Sequence, residues 1–212
     1  MKKYFKSVFL LLCTFCMMYF GAQYLGIGSF VNYYIPQLDE IVSEGSDIRC
    51  QVTDEAYEGL ALAVERELCK LPSSVREALV KSGWHIYITG EDLATTYYNS
   101  SPGSIYGSTF YNKKIIVMQA DYLAIQTATI HEVGHWLDRY SGNLSSSKEF
   151  AKVYDAERYT FMSYFKRSCV LDNKKEYFAE AFNLYIESPR KMQLIMPITY
   201  AFFTRVIGAD SD

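Results

Sequence analysis

The stretch that decides the fold is TATIHEVGHWLD, residues 127–138, which contains two of the three histidines in the chain. His131 and His135 are four residues apart, and on a helix such residues are neighbours on one face. Two imidazoles in that arrangement can bind one zinc ion. Glu132 lies between them and can take a proton from a zinc-bound water. The stretch therefore predicts a helix with hydrolytic chemistry.

A catalytic zinc site uses three protein ligands and leaves one position for water. His85 is the remaining histidine, but it lies in a predicted strand, where its alternating neighbours favour a surface or packing role. Glu176 and Glu180 are better candidates, because they share one face of a strongly helical segment. Two acids on a largely buried helix are costly unless they are paired or bound to a cation. One would ligate zinc and the other would orient a ligand histidine; the alternative is a solvated acidic face.

The composition bounds the rest of the chain. With 212 residues, half of them apolar, the chain is long enough for one domain with a substantial core. A net charge of -3 and the lack of a basic stripe exclude nucleic acid as a partner. Outside the N-terminal segment there are three cysteines, which cannot all pair. Cys50 and Cys69 form a bridge or, like Cys169, remain as isolated buried thiols.

The N-terminus has the composition of a targeting segment. Three lysines in the first six residues precede an uncharged run, residues 7–38, with a strongly apolar core. This pattern predicts a signal peptide or membrane anchor over residues 1–30, and the run exceeds the roughly 20 residues that span a bilayer. We favour an uncleaved anchor with the domain outside the cell, and secretion is the alternative. A juxtamembrane linker, residues 31–50, would lead to a catalytic domain over residues 51–212.

Periodicity and turn signals predict a mostly helical α+β domain with a small mixed sheet. Residues 91–107 are rich in Tyr, Asn, Ser, Pro and Gly and predict a long loop. The tail is expected to form a last pair of short helices, and residues 148–165 to be helical in places. The other predicted helices cover 54–71, 75–82, 124–140 and 174–186, and the predicted strands cover 84–89, 108–111 and 114–118.

Three segments together resemble a known family. HEVGHWLD at residues 131–138, EYFAEAF at 176–182 and PITYAF at 197–202 resemble the catalytic domain of anthrax lethal factor. They are also similar to the secreted clostridial Pro-Pro endopeptidases. The resemblance extends over about Asp54 to Gly208 and is strongest at the two metal helices. It implies a zincin-like zinc metallopeptidase domain.

The resemblance also implies a role for each site residue. Zinc would be bound by His131, His135 and Glu176, with Glu132 as the general base and Glu180 in contact with a ligand histidine. The family uses a tyrosine seven residues before the ligand glutamate to stabilise the oxyanion, and this chain has Cys169 there. Either Tyr164 or Tyr159 fills that role from a longer loop, or oxyanion stabilisation is weaker. We select Tyr164 as the candidate catalytic residue.

The predicted function is zinc-dependent hydrolysis of peptide bonds in an extracellular or cell-surface protein. The strand at residues 108–111 would bind the substrate as an added extended strand. The loop at residues 91–107 would cover the cleft. The alternative is an inactive, membrane-tethered binding or immunity-type module on the same fold, which Cys169 favours. The retention of all five histidine and glutamate site residues argues against it.

Overall fold

The computed structural model describes residues 50–54, 57–165 and 173–208. The predicted N-terminal anchor and Cys169 lie outside these ranges, as does the predicted linker except for its last residue. That residue, Cys50, begins strand β1 rather than ending the linker. Among the described helices, none combines the length and apolarity needed to cross a membrane.

Four strands form one mixed sheet in the described part of the chain. They are β1 (Cys50–Val52), β2 (His85–Thr89), β3 (Gly107–Phe110) and β4 (Ile115–Gln119). The order is β1-β2-β4-β3, with β1, β2 and β4 parallel and β3 antiparallel to β4. The predicted hairpin and the small mixed sheet are confirmed. Because β3 is at one end of the order, its outer edge pairs with no described strand.

Eight α-helices occur in the same described ranges. Most lie within a few residues of their predicted positions, and the predicted α+β class is confirmed. They are α1 (Glu58–Leu68), α2 (Ser73–Lys81), α3 (Leu93–Tyr98), α4 (Tyr122–Tyr140), α5 (Lys148–Phe165), α6 (Lys174–Glu187), α7 (Pro189–Ile195) and α8 (Pro197–Gly208).

Two sequence predictions of irregular structure were wrong. Helix α3 occurs inside the stretch predicted as a loop, where the Asp92 carboxylate caps it by accepting a hydrogen bond from Thr95 N at 2.9 Å. The capped turn is short and polar, so it carries no apolar periodicity. Helix α5 is continuous over its 18 residues rather than helical in places.

The core includes residues of the sheet and of α4, which contacts β3 and β4 as well as α6. Trp136, Phe178 and Phe182 are among its largest fully buried side chains. Gly134 makes close packing of the two helices possible. A methyl group at this position would be 2.9 Å from Ala179 Cα and 3.2 Å from its carbonyl oxygen. The backbones of α4 and α6 can therefore approach at the level of the predicted metal ligands.

A buried carboxylate joins α5 to the start of α8. Glu157 accepts hydrogen bonds from Ile198 N at 3.0 Å, Thr199 N at 2.8 Å and Thr199 Oγ1 at 2.6 Å. Because the first turn of a helix has unpaired N–H groups and a positive dipole end, a carboxylate is stabilised there. Since the Thr199 hydroxyl donates to Glu157, it accepts from Tyr177, whose oxygen is 2.9 Å away. This network explains the threonine in the PITYAF segment.

The cysteines are not cross-linked in the described part of the chain. Cys50 and Cys69 are both free, so the bridge considered from the sequence is absent there. Burial, with a smaller contribution from Glu65, raises the pKa of the Cys50 thiol to about 12. Cys69 is exposed, contrary to the prediction of a buried thiol.

Candidate metal site and catalytic centre

Helices α4 and α6 bring three predicted metal ligands together. The Nε2 atoms of His131 and His135 are 3.1 Å apart. Glu176 places Oε2 3.4 Å from His131 Nε2 and Oε1 3.5 Å from His135 Nε2. Two ligands bound to a tetrahedral zinc at about 2.0–2.1 Å are roughly 3.3–3.4 Å from each other. The three side chains therefore have the spacing and chemistry to bind such an ion.

His85 is outside this group. It is the first residue of β2 and pairs with Ile115 of β4. Within the described ranges, the only group of three or more ligand-type side chains close enough to hold a metal is His131, His135 and Glu176. The sequence's preference for a carboxylate over His85 agrees with this arrangement.

The charges at the site are strongly coupled. Burial by itself would lower the pKa of His131, but the carboxylates of Glu176 and Glu180 raise it well above its ordinary value. Burial would likewise raise the pKa of Glu176, but His135 and His131 hold it well below its usual range. In the metal-free protein the acids therefore favour a proton on His131. A divalent cation would provide positive charge in its place.

Glu180 lies behind the first ligand. Its Oε1 atom is 3.5 Å from Nδ1 of His131, on the side of the imidazole opposite Nε2, the candidate ligand atom. His131 Nδ1 is buried, and among the described residues it has no hydrogen bond of normal length. A small contraction would give a carboxylate–histidine contact of the kind that orients metal ligands. The i, i+4 spacing of Glu176 and Glu180 thus directs both acids toward the same histidine.

Glu132 is held between α4 and the edge strand β3. Its side chain is buried, with the residue 5% exposed, and its Oε2 atom accepts a hydrogen bond from the Thr109 hydroxyl at 2.7 Å. Gly107 lies against the same side chain, because a methyl group there would be 2.8 Å from Glu132 Cγ. The sequence analysis identified the glutamate but not these two neighbours. Gly107 was predicted to end the preceding loop, and alternation shows that it faces the same side as Thr109 only because the strand begins one residue earlier than predicted.

Tyr111 contacts the helix that carries the histidine pair, whereas the two oxyanion candidates from the sequence lie on α5. Tyr111 follows β3, with its ring edge-on to Trp84 and its hydroxyl 3.4 Å from the carbonyl oxygen of His135. Burial, followed by the charge of Glu132, raises its pKa. Tyr159 and Tyr164, the oxyanion candidates from the sequence, are on α5, and each is 60% exposed. Their catalytic role stays a prediction.

Comparison with known proteins agrees with this architecture. The described α+β fold is that of a metallo-endopeptidase. Residues 51–206 match the family described as anthrax toxin lethal factor, N- and C-terminal domain, and the chain belongs to that family. The resemblance predicted from the three sequence segments is confirmed.

A solved structure supports the fold independently. The Pro-Pro endopeptidase from Paenibacillus alvei superposes with a TM-score of 0.57 and 23% sequence identity. The superposition covers 76% of this chain and 97% of that one. No curated protein matches the sequence significantly.

Proposed function

We propose that the protein is a zinc-dependent endopeptidase. The observation that carries this proposal is the His131, His135 and Glu176 cluster, with ligand atoms 3.1–3.5 Å apart, beside the buried Glu132. When bound, zinc supplies a Lewis acid that polarises a peptide carbonyl and lowers the pKa of a coordinated water. A match in spacing and donor type supports zinc over calcium or magnesium, which prefer oxygen ligands.

The side chains of the protein would then do the following. Glu132 accepts a proton from the attacking water and passes it to the leaving amine. Glu180 orients His131 through its Nδ1 side. The substrate peptide pairs in an extended form with the outer edge of β3, where backbone groups are available for strand addition. Because Thr109 of this strand touches Glu132, a peptide on that edge would lie beside the base.

The oxyanion partner is proposed to be Tyr164. It lies in the last turn of α5, next to residues 166–172, which connect α5 to the ligand helix. The Tyr164→Phe change removes only the hydroxyl, and loss of an oxyanion donor typically lowers kcat about 10²–10³-fold. Tyr159→Phe, at an equally exposed position on the same helix, is the matched control. If Tyr159→Phe alone lowers kcat, the role belongs to that residue instead.

We infer that the substrate is an extracellular or cell-surface protein. The support is the sequence of residues 1–30, whose lysines and apolar run predict a membrane anchor with the domain outside, or export as a secreted protein. Fractionation of cells and protease accessibility of the domain would test this location. A domain protected inside intact cells would contradict it.

Zinc analysis and a peptide library together test the proposed activity. The purified full chain should contain one zinc per molecule, cleave peptides in the library, lose cleavage with a chelator and recover it with added zinc. The library should include Pro-Pro bonds, since the structural neighbour is a Pro-Pro endopeptidase. A purified chain without stoichiometric zinc would contradict the proposal. Zinc binding without cleavage would favour the inactive binding module.

A further inference from the structure

One face of strand β3 packs against α4, the helix that carries the HExxH motif. Side chains alternate along a strand, so residues 107, 109 and 111 point to the same side. Each of them contacts α4: Gly107 and Thr109 at Glu132, and Tyr111 at the His135 carbonyl. On the other side, Ser108 pairs with Tyr98, and Phe110 packs on Tyr97. The strand therefore separates a face for the catalytic helix from a face for α3.

The Thr109 hydroxyl is directed at the base rather than at the backbone. It has one proton, and two acceptors are within range: Glu132 Oε2 at 2.7 Å and the Glu132 carbonyl oxygen at 3.2 Å. The shorter distance and the charge of the carboxylate favour donation to Oε2, because hydrogen bonds to ionised acceptors are shorter and stronger. Within the described residues, the Glu132 carboxylate accepts its hydrogen bond at Oε2. Oε1 is therefore the oxygen available for proton transfer.

Gly107 packs closely against the Glu132 side chain. A methyl group on Gly107 would be 2.8 Å from Glu132 Cγ, a distance that real Cβ atoms essentially never show, and 3.1 Å from Oε1, which is tighter than most real contacts. The absence of a side chain lets the carboxylate lie close against the strand. Thr109 contacts one oxygen, and the Gly107 backbone limits the space around the other. The rotation of the carboxylate is thereby restricted from two sides.

We propose that Thr109 is a positioning residue for the general base, with Gly107 providing the space that this position requires. The proposal rests on the proposed peptidase function. Its consequence is that β3 orients both reaction partners: its outer edge would bind the peptide, and its inner face holds the carboxylate that activates the water. Base and substrate are then aligned by one rigid element, which is how enzymes gain rate through orientation.

Three full-length variants test the proposal. Thr109→Val is nearly isosteric and removes the hydroxyl, so kcat should fall about 10- to 100-fold, as expected for losing a hydrogen bond to a charged group. KM should change less than about 2-fold and zinc content should stay at one per chain. Thr109→Ser retains the hydroxyl and should keep kcat within about 3-fold of the wild type. The matched control is Thr129→Val, which removes a buried hydroxyl from α4 that donates to Ile125 O at 2.8 Å.

The outcomes separate this proposal from the proposed function. A wild-type kcat in Thr109→Val would overturn the positioning role. So would decreases in kcat in Thr109→Ser and Thr129→Val as large as the decrease in Thr109→Val. Both results leave the proposed peptidase function intact. If the wild-type chain binds zinc but cleaves no peptide, the proposed function fails. A crystal structure of Thr109→Val then still decides the positioning role: a rotated Glu132 carboxylate supports it, and an unchanged one contradicts it.

Discussion

Two clusters built around glutamates differ in how the negative charge is satisfied. Glu157 is surrounded by donors: two backbone N–H groups and a hydroxyl point at it from the first turn of α8. Glu176 and Glu180 face the imidazole nitrogens of His131 and His135 instead. Neutral imidazoles are acceptors at one nitrogen each, so the second cluster is incomplete without a proton or a cation.

The difference separates a structural acid from a functional one. A buried carboxylate that receives backbone donors contributes to folding and needs nothing further. A carboxylate beside histidines is stabilised by a proton on an imidazole, or by a metal ion bound to all of these side chains in place of that proton. The comparison predicts that changes at the metal site, with the adjacent base Glu132, and changes at Glu157 affect different properties. Three substitutions test this, from the largest expected effect to the smallest.

Glu132→Ala should have the largest effect, and on activity alone. The general base contributes typically 10²–10⁴-fold to the rate, so kcat should fall by about that factor. Zinc content should stay at one per chain, because the three ligands are untouched. Peptide cleavage assays and metal analysis on the same preparation measure both. Loss of zinc together with activity would mean that Glu132 contributes to metal binding, contrary to its proposed role as the base alone.

Glu180→Gln should weaken metal binding without abolishing folding. The change removes the charge that faces His131 Nδ1 at 3.5 Å, and such contacts are worth about 10–100-fold in metal affinity. Competition with a zinc chelator of known affinity measures the change. The matched control is Glu187→Gln, at the end of the same helix, where the carboxylate pairs with Lys70. Unchanged zinc affinity in Glu180→Gln would show that this acid is not part of the metal site.

Glu157→Gln should reduce stability and leave the metal site alone. One donor from α8 would face the new amide nitrogen, and an unsatisfied buried group costs about 1–2 kcal/mol of unfolding free energy. Urea unfolding of the zinc-loaded chain measures the difference. Zinc affinity and kcat of the folded protein should match the wild type. A fall in zinc affinity like that of Glu180→Gln would mean that the two clusters act as one unit.

The sequence was sufficient to predict features that depend on residue spacing within one helix or one hairpin. The i, i+4 spacing placed His131 beside His135 and Glu176 beside Glu180, since each pair occupies one helix. The residue types then implied that the two helices meet. Chain order and hydrophobic patterns also gave the mixed sheet with its hairpin, because β3 and β4 are joined by a short turn.

The rest depended on contacts between distant segments. Thr109 is 23 residues from Glu132, and its contact follows from the sheet order and the strand register, which no local pattern encodes. Glu157 lies 42 residues from Thr199, in a helix where a glutamate resembles any solvent-facing acid. Helix α3 was missed because its capped turn lacks an apolar stripe. Long-range packing decided each of these cases.

Gly134 gives the HExxH pattern a constraint that the pattern itself does not state. The residue binds nothing, yet a single methyl group there would push on the backbone of the helix that carries Glu176. Zinc–ligand distances tolerate changes of only about 0.2 Å. In this fold the second of the two variable positions is therefore not free to vary. A related chain could keep every ligand and the base, replace this glycine, and still lose the ion.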